Sequence, residues 1–109
     1  MPQADLYFTS DQTLDAAGLL SNIEETIRKF DDTSGLCKGR AHRAMDYHHS
    51  HILLRLSMLP KDHRDDAFAN ELGQKLAGLL QSAAKVPCAI NVQVRFDLVH
   101  YTAVRVEKQ

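Results

Sequence analysis

Three side chains here can share one reaction if the fold joins them: Pro2, directly behind the first methionine, and two later cations, Lys38 and Arg40. Enzymes that remove initiator methionine act readily when the next residue is small, and proline qualifies. Removal would leave Pro2 as a secondary amine at the chain terminus. An unperturbed α-amino group titrates at about 7.7–8.0. Nearby positive charge and desolvation both disfavour its protonated form. A neutral amine of that kind is a competent general base at physiological pH. Lys38 and Arg40 would supply the positive charge. They would also attract a carboxylate or enolate oxygen, arginine in bidentate fashion. The plainer account of the same residues is a proline at a strand start and two cations on a solvated strand face.

The elements that must position these groups are legible from periodicity. Ala4, Leu6 and Phe8 alternate with Asp5 and Tyr7, the period-two pattern of a half-buried strand. Ser10, Asp11 and Thr13 offer helix caps. Leu14, Ala17, Leu20, Ile23, Ile27 and Phe30 then recur at helical spacing, until Asp31-Asp32-Thr33-Ser34-Gly35 ends the run. A polar strand over 36–45 carries Lys38, Arg40, His42 and Arg43, and a histidine-rich loop follows.

The second half repeats that order. Ile52, Leu54, Leu56 and Met58 share one strand face, and Pro60 ends the strand. Asp62 is placed to cap the next helix, with Asp65 at the capping-box position. Phe68, Leu72, Leu76, Leu79, Leu80 and Ala83 form that helix's buried stripe, and Val86-Pro87 closes it. Ile90, Val92, Val94 and Phe96 alternate in a fourth strand, and residues 98–106 predict a short strand or an arm. Lys38 follows Ala4 by 34 positions and Ile90 follows Ile52 by 38, so the two halves match in architecture. Each half is a β-α-β unit, and such crossovers join parallel strands with one handedness. The prediction is an α+β domain, with a four-stranded mixed sheet and both helices on one face. The other face would carry Asp5, Tyr7, Lys38, Arg40, His42, Arg55, Gln93 and Arg95. Parallel strands joined by one crossover start at the same sheet edge. Pro2 should therefore lie near Lys38 and Arg40 if the first two strands pair directly.

Composition bounds the rest. With 109 residues, 44% of them hydrophobic and 25% charged, the chain reads as one ordinary globular domain. A net charge of −1 gives no general attraction to nucleic acid or to an anionic membrane surface. Cys37 and Cys88 lack CxxC spacing and read as small reduced core residues of a cytoplasmic protein. No leader pattern is visible, and the apolar run 76–84 is too short to span a bilayer. His49 and His51 invite a metal reading, but no acidic or thiol ligand stands at a supporting spacing. Tyr7 and Tyr101 are donors that could reach a substrate oxygen, or amphipathic interface residues.

The chain resembles the tautomerase superfamily, and within it the 5-carboxymethyl-2-hydroxymuconate isomerase group. The resemblance rests on Met1-Pro2 running into a short strand, the helix 14–30, the segment Gly35-Leu36-Cys37-Lys38-Gly39-Arg40-Ala41-His42, and the strands 51–58 and 90–94. It implies two β-α-β units about a pseudo-twofold axis, covering residues 2–46 and 50–97, with a C-terminal arm over 98–109. It further implies a homotrimer with its sheets facing inward, and a cofactor-free isomerase acting on a small carboxylate. By the same resemblance Pro2 is the catalytic group, and the family's second-strand arginine falls on Lys38, or on Arg40 if the register slips by two. The family's second arginine meets Pro60-Lys61-Asp62 here, without a Gly-Arg pair. Two other readings share the pattern. One is a trimeric homologue without turnover. The other is a ferredoxin-like ligand-binding or regulatory module, whose strand order is the same along the chain. A first strand pairing directly with the second favours the tautomerase, and one flanked by the third and fourth favours the ferredoxin-like module.

Overall fold

In the computed structural model, which describes residues 1–108, six elements follow the predicted order. They are β1 (Gln3–Thr9), α1 (Ala16–Phe30), β2 (Lys38–Ala44), β3 (His51–Ser57), α2 (Asp66–Ala83) and β4 (Ala89–Arg95). The sheet order is β2-β1-β3-β4. β1 runs parallel to β2, β3 parallel to β4, and the two units meet through the antiparallel pair β1–β3. β1 is thus flanked by β2 and β3, which is not the ferredoxin-like arrangement. That alternative is overturned by strand adjacency.

Alternation along the central strands builds the core. Ala4, Leu6 and Phe8 of β1 and Ile52, Leu54 and Leu56 of β3 are buried, with Leu6 directly opposite Leu54. Leu19, Ile23 and Ile27 of α1 and Leu72, Leu76 and Leu80 of α2 close over them. Each such side chain contributes about 1.5–3 kcal/mol when fully buried. In α1 the buried row is Leu19-Ile23-Ile27, while the expected Ala17 is exposed and Leu20 half-buried. Leu20 instead packs onto β2, where its Cδ2 would lie 3.0 Å from a Cβ placed on Gly39. Gly39 makes that close approach possible.

Both helix starts differ from expectation, for related reasons. Asp15, and not Ser10, Asp11 or Thr13, caps α1 by accepting from the Gly18 N–H at 3.1 Å. Asp11 is engaged in the preceding turn, where it accepts from Thr9 Oγ1 at 2.5 Å. Likewise Asp65, and not Asp62, caps α2 through the Phe68 N–H at 2.9 Å. A turn closed by Arg64 N–H to the Lys61 carbonyl, 2.9 Å, lies between them and sends Arg64 inward. β2 is shorter than predicted because its seven residues match the seven of β1, leaving Leu36 and Met45 exposed. The chain after β4 is an arm without regular structure, and its last residue, Gln109, lies outside the described residues. No helix among the described residues is long and apolar enough to cross a membrane.

Each loop after a central strand grips the far end of the other unit's helix. After β1, buried Gln12 accepts from the Lys85 N–H at 2.9 Å and donates to the Val86 carbonyl at 3.1 Å. After β3, buried Arg64 donates to Asp31 Oδ2 through Nε at 3.0 Å and Nη2 at 2.9 Å, and to the Leu59 carbonyl through Nη1 at 2.7 Å. Asp31 also accepts from Thr33 N–H, Thr33 Oγ1 and His63 Nε2. Burial alone would raise the Asp31 carboxyl, but these donors outweigh it and hold the group well below the usual carboxylate range.

Removing one partner of a buried pair leaves an uncompensated charge, a loss of about 3–5 kcal/mol. Arg64→Met should therefore lower the urea midpoint by that equivalent at pH 7 with an unchanged m-value. Because the Asp31 folded value is depressed, its stabilisation is present above the unfolded carboxylate value of about 3.9 and is lost as pH falls below it. Stability measured from pH 5 down to pH 2 should fall less steeply in Asp31→Asn than in the unsubstituted chain.

Candidate active site

The parallel β1–β2 pair brings the first two candidates together. Gln3 stands opposite Lys38, and the Lys38 N–H donates to the Pro2 carbonyl at 2.9 Å. Pro2 is buried and Lys38 is exposed. Met1 precedes Pro2, so in this chain the Pro2 nitrogen is a peptide nitrogen, and the Met1 side chain lies against Gly35.

Arg40 stands two residues further along β2, opposite Asp5, but its guanidinium folds back toward the strand start. Nη2 donates to the Lys38 carbonyl at 3.1 Å and to Gln3 Oε1, while Nη1 donates to Asp5 Oδ2 at 3.1 Å. Lys38 is exposed and makes no side-chain ion pair among the described residues. The positive charge converges on the strand start. Burial first, then the Glu24 carboxylate, push the Cys37 thiol up to about 11, against the pull of Arg40, the terminal amine and Lys38. Glu24 of α1 also accepts from the Cys37 N–H at 2.7 Å, which pins the approach to β2.

The polar sheet face holds the residues that parity assigned to it. Asp5 accepts from His42 Nε2 at 2.8 Å, and burial of its carboxyl is outweighed by His42 and Arg40, so its pKa is lowered. His42 stacks on Tyr7 at 4.5 Å between ring centroids, and Arg55 lies over the same ring at 5.8 Å. Arg55 stands opposite Gln93, and Ser57 opposite Arg95. Arg95 pairs with Asp97 at 3.3 Å.

Gln3, not singled out beforehand, and Tyr101, read from the sequence as a substrate-oxygen donor or an interface residue, complete this corner. Gln3 Nε2 donates to Tyr101 Oη at 2.6 Å, joining the arm to the start of β1, and the Leu98 N–H reaches the Met58 carbonyl at 3.4 Å. The parity of Gln3 with Asp5 and Tyr7 was a usable signal. Nothing local to Tyr101 indicated a partner 98 positions away. The histidine loop resolves differently. His49 lies outside β3 with a left-handed φ of 62°, and His51 Nδ1–H donates to its carbonyl at 2.8 Å. No three His, Cys, Asp or Glu side chains among the described residues could hold a metal ion together.

No family model matches the sequence, and no curated protein matches it. Solved structures do match. A 5-carboxymethyl-2-hydroxymuconate isomerase from Deinococcus radiodurans R1 is 18% identical, with a TM-score of 0.73 over 86% of this chain and 81% of that one. A 5-carboxymethyl-2-hydroxymuconate delta-isomerase is 14% identical, with a TM-score of 0.68 over 100% and 89%. A fused 4-OT protein described as a symmetric trimer is 11% identical, with a TM-score of 0.70 over 94% and 93%. At such identities the likeness is one of fold, and the chain has the tautomerase-like fold.

A free thiol with a pKa of about 8.5 is roughly a quarter ionised at pH 8. At about 11, Cys37 is ionised to roughly one part in a thousand at that pH. Cys37 should therefore react with iodoacetamide at pH 8 about a hundredfold more slowly than a small free thiol, read by mass spectrometry of the alkylated peptide.

Proposed function

We propose that this chain is a cofactor-independent tautomerase of the superfamily it resembles, an isomerase that moves a proton within a small 2-oxo or 2-hydroxydienoic acid. The observation that carries the reading is the junction of the two strand starts, where the Lys38 N–H meets the Pro2 carbonyl at 2.9 Å and the Arg40 guanidinium folds back beside them. Once Met1 is removed, Pro2 nitrogen is a secondary amine among cations, with its protonated form disfavoured. Lys38 Nζ attracts the substrate carboxylate as a point charge, and Arg40 adds charge and, on releasing Gln3, a donor. Pro2 takes the proton from the 2-hydroxyl, the electron pair becomes the C2 carbonyl, and the diene shifts. The protonated Pro2 then delivers that proton to carbon. No atom is gained or lost and nothing is oxidised or reduced. A homotrimer with inward polar faces belongs to the same reading, supported by the open outer edge of β2.

A second reading, a homologue without turnover, is favoured by one observation: three of the five Arg40 N–H donors are already taken, by Asp5, Gln3 and the Lys38 carbonyl. One assay separates the two. Ketonisation of a 2-hydroxydienoate, followed by ultraviolet absorbance, should be catalysed by protein with Pro2 at its terminus. It should be about a hundredfold slower or worse in Pro2→Ala and in protein retaining Met1, the scale of a lost general base. Equal rates in all three would sink the proline mechanism, and no rate in any would favour the homologue without turnover.

A further inference from the structure

The polar groups around Gln3 fix one another's hydrogen-bonding roles. Arg40 has donors only. Its Nη2 bonds Gln3 Oε1, so the Gln3 amide can have only one orientation, with its oxygen toward Arg40. Gln3 Nε2 therefore faces Tyr101 Oη as a donor at 2.6 Å, and the phenol oxygen accepts. A tyrosine hydroxyl that accepts still has its own proton to give. That proton has no acceptor among the described residues. Asp5, the carboxylate of this network, already accepts from Arg40 Nη1 at 3.1 Å and His42 Nε2 at 2.8 Å. The arm is held there by the Leu98 N–H on the Met58 carbonyl, and Tyr101 is half-buried while Val99 and Val104 beside it are exposed.

We infer that Tyr101 is a ligand-binding residue. Its hydroxyl donates a hydrogen bond to an oxygen of a small 2-oxo carboxylate held at the start of β1, and Gln3 is the positioning residue that aims it. This rests on the proposed isomerase reading for the class of ligand, and deepens it by assigning a neutral donor from the C-terminal arm. The pairing suits the chemistry. Lys38 draws an anion to this corner as a point charge, which is poorly directional, and Arg40, its guanidinium already shared, adds to that charge, whereas a phenol proton aimed by an amide distinguishes one oxygen from another. A donor placed where oxygen gains charge favours the enolate-like state over the ground state.

Affinity for a saturated 2-oxo acid, which cannot be turned over, is read by titration calorimetry on the full chain. Tyr101→Phe keeps the ring and removes the donor, so affinity should fall about tenfold or more, the scale of a hydrogen bond to a charged group. Its urea midpoint serves as a folding control. Gln3→Glu separates aiming from mere contact. A glutamate accepts from Arg40 and also from the Tyr101 hydroxyl, so it consumes the proton a ligand would use. Its added charge also repels an anion, so the decisive quantity is the coupling. Gln3→Glu should weaken binding clearly more in the otherwise unsubstituted chain than in the Tyr101→Phe background. Equal affinities of Tyr101→Phe and the unsubstituted chain, a fully additive pair, or no binding of the acid at millimolar concentration would each overturn the inference. Binding that depends on Tyr101, in protein that fails to ketonise the dienoate, would overturn the isomerase reading and leave the donor in place.

Discussion

β1 is hydrogen-bonded along both edges, parallel to β2 on one side and antiparallel to β3 on the other, and the rest of the molecule depends on that constraint. A strand paired on both sides cannot slip by one residue without turning its apolar set outward. Ala4, Leu6 and Phe8 are therefore committed to the helices, and Gln3, Asp5 and Tyr7 to the opposite face. The same pairing brings the beginnings of β1 and β2 together. Core and candidate site are two consequences of one register.

The helices add little to that register by themselves, and the loops make up the difference. Gln12 and Arg64 perform equivalent tasks in the two halves, each reaching from the loop after a central strand to the end of the other unit's helix. One does so with a neutral amide on backbone groups and the other with a guanidinium on Asp31. The charged version brings a desolvation cost that Asp31 offsets through four kinds of donor: Arg64, His63, and the Thr33 amide and hydroxyl. Neither clamp is a periodic feature, which is why a pattern of apolar spacing does not reveal it.

Charge at the strand starts is answered group by group, with one exception. Asp5 answers Arg40 and His42, Glu24 answers the Cys37 amide, and Lys38 remains exposed without a counter-ion among the described residues. Arg40 is half committed, its guanidinium shared between a carboxylate, an amide oxygen and a backbone carbonyl. Such a group contributes positive potential while its hydrogen bonds are shared among neighbours. Its second effect is to orient Gln3, and through Gln3 the arm.

By itself the sequence determined what is local. Period-two alternation at Ala4, Leu6 and Phe8 and at Ile52, Leu54 and Leu56 settled which faces are buried, and the leucine stripe of α2 settled its inner side. Pro2 and Lys38 were legible as neighbours because a single crossover constrains where parallel strands begin. Tertiary structure decided which strand flanks β1, and with it the exclusion of the ferredoxin-like arrangement. It also decided that Asp15 and Asp65 cap the helices, that Arg64 turns inward onto Asp31, and that Tyr101 meets Gln3. The physical reason is range. Side-chain periodicity follows from a residue's own backbone, whereas a hydrogen-bond partner is chosen by whatever the completed sheet brings within about three ångströms.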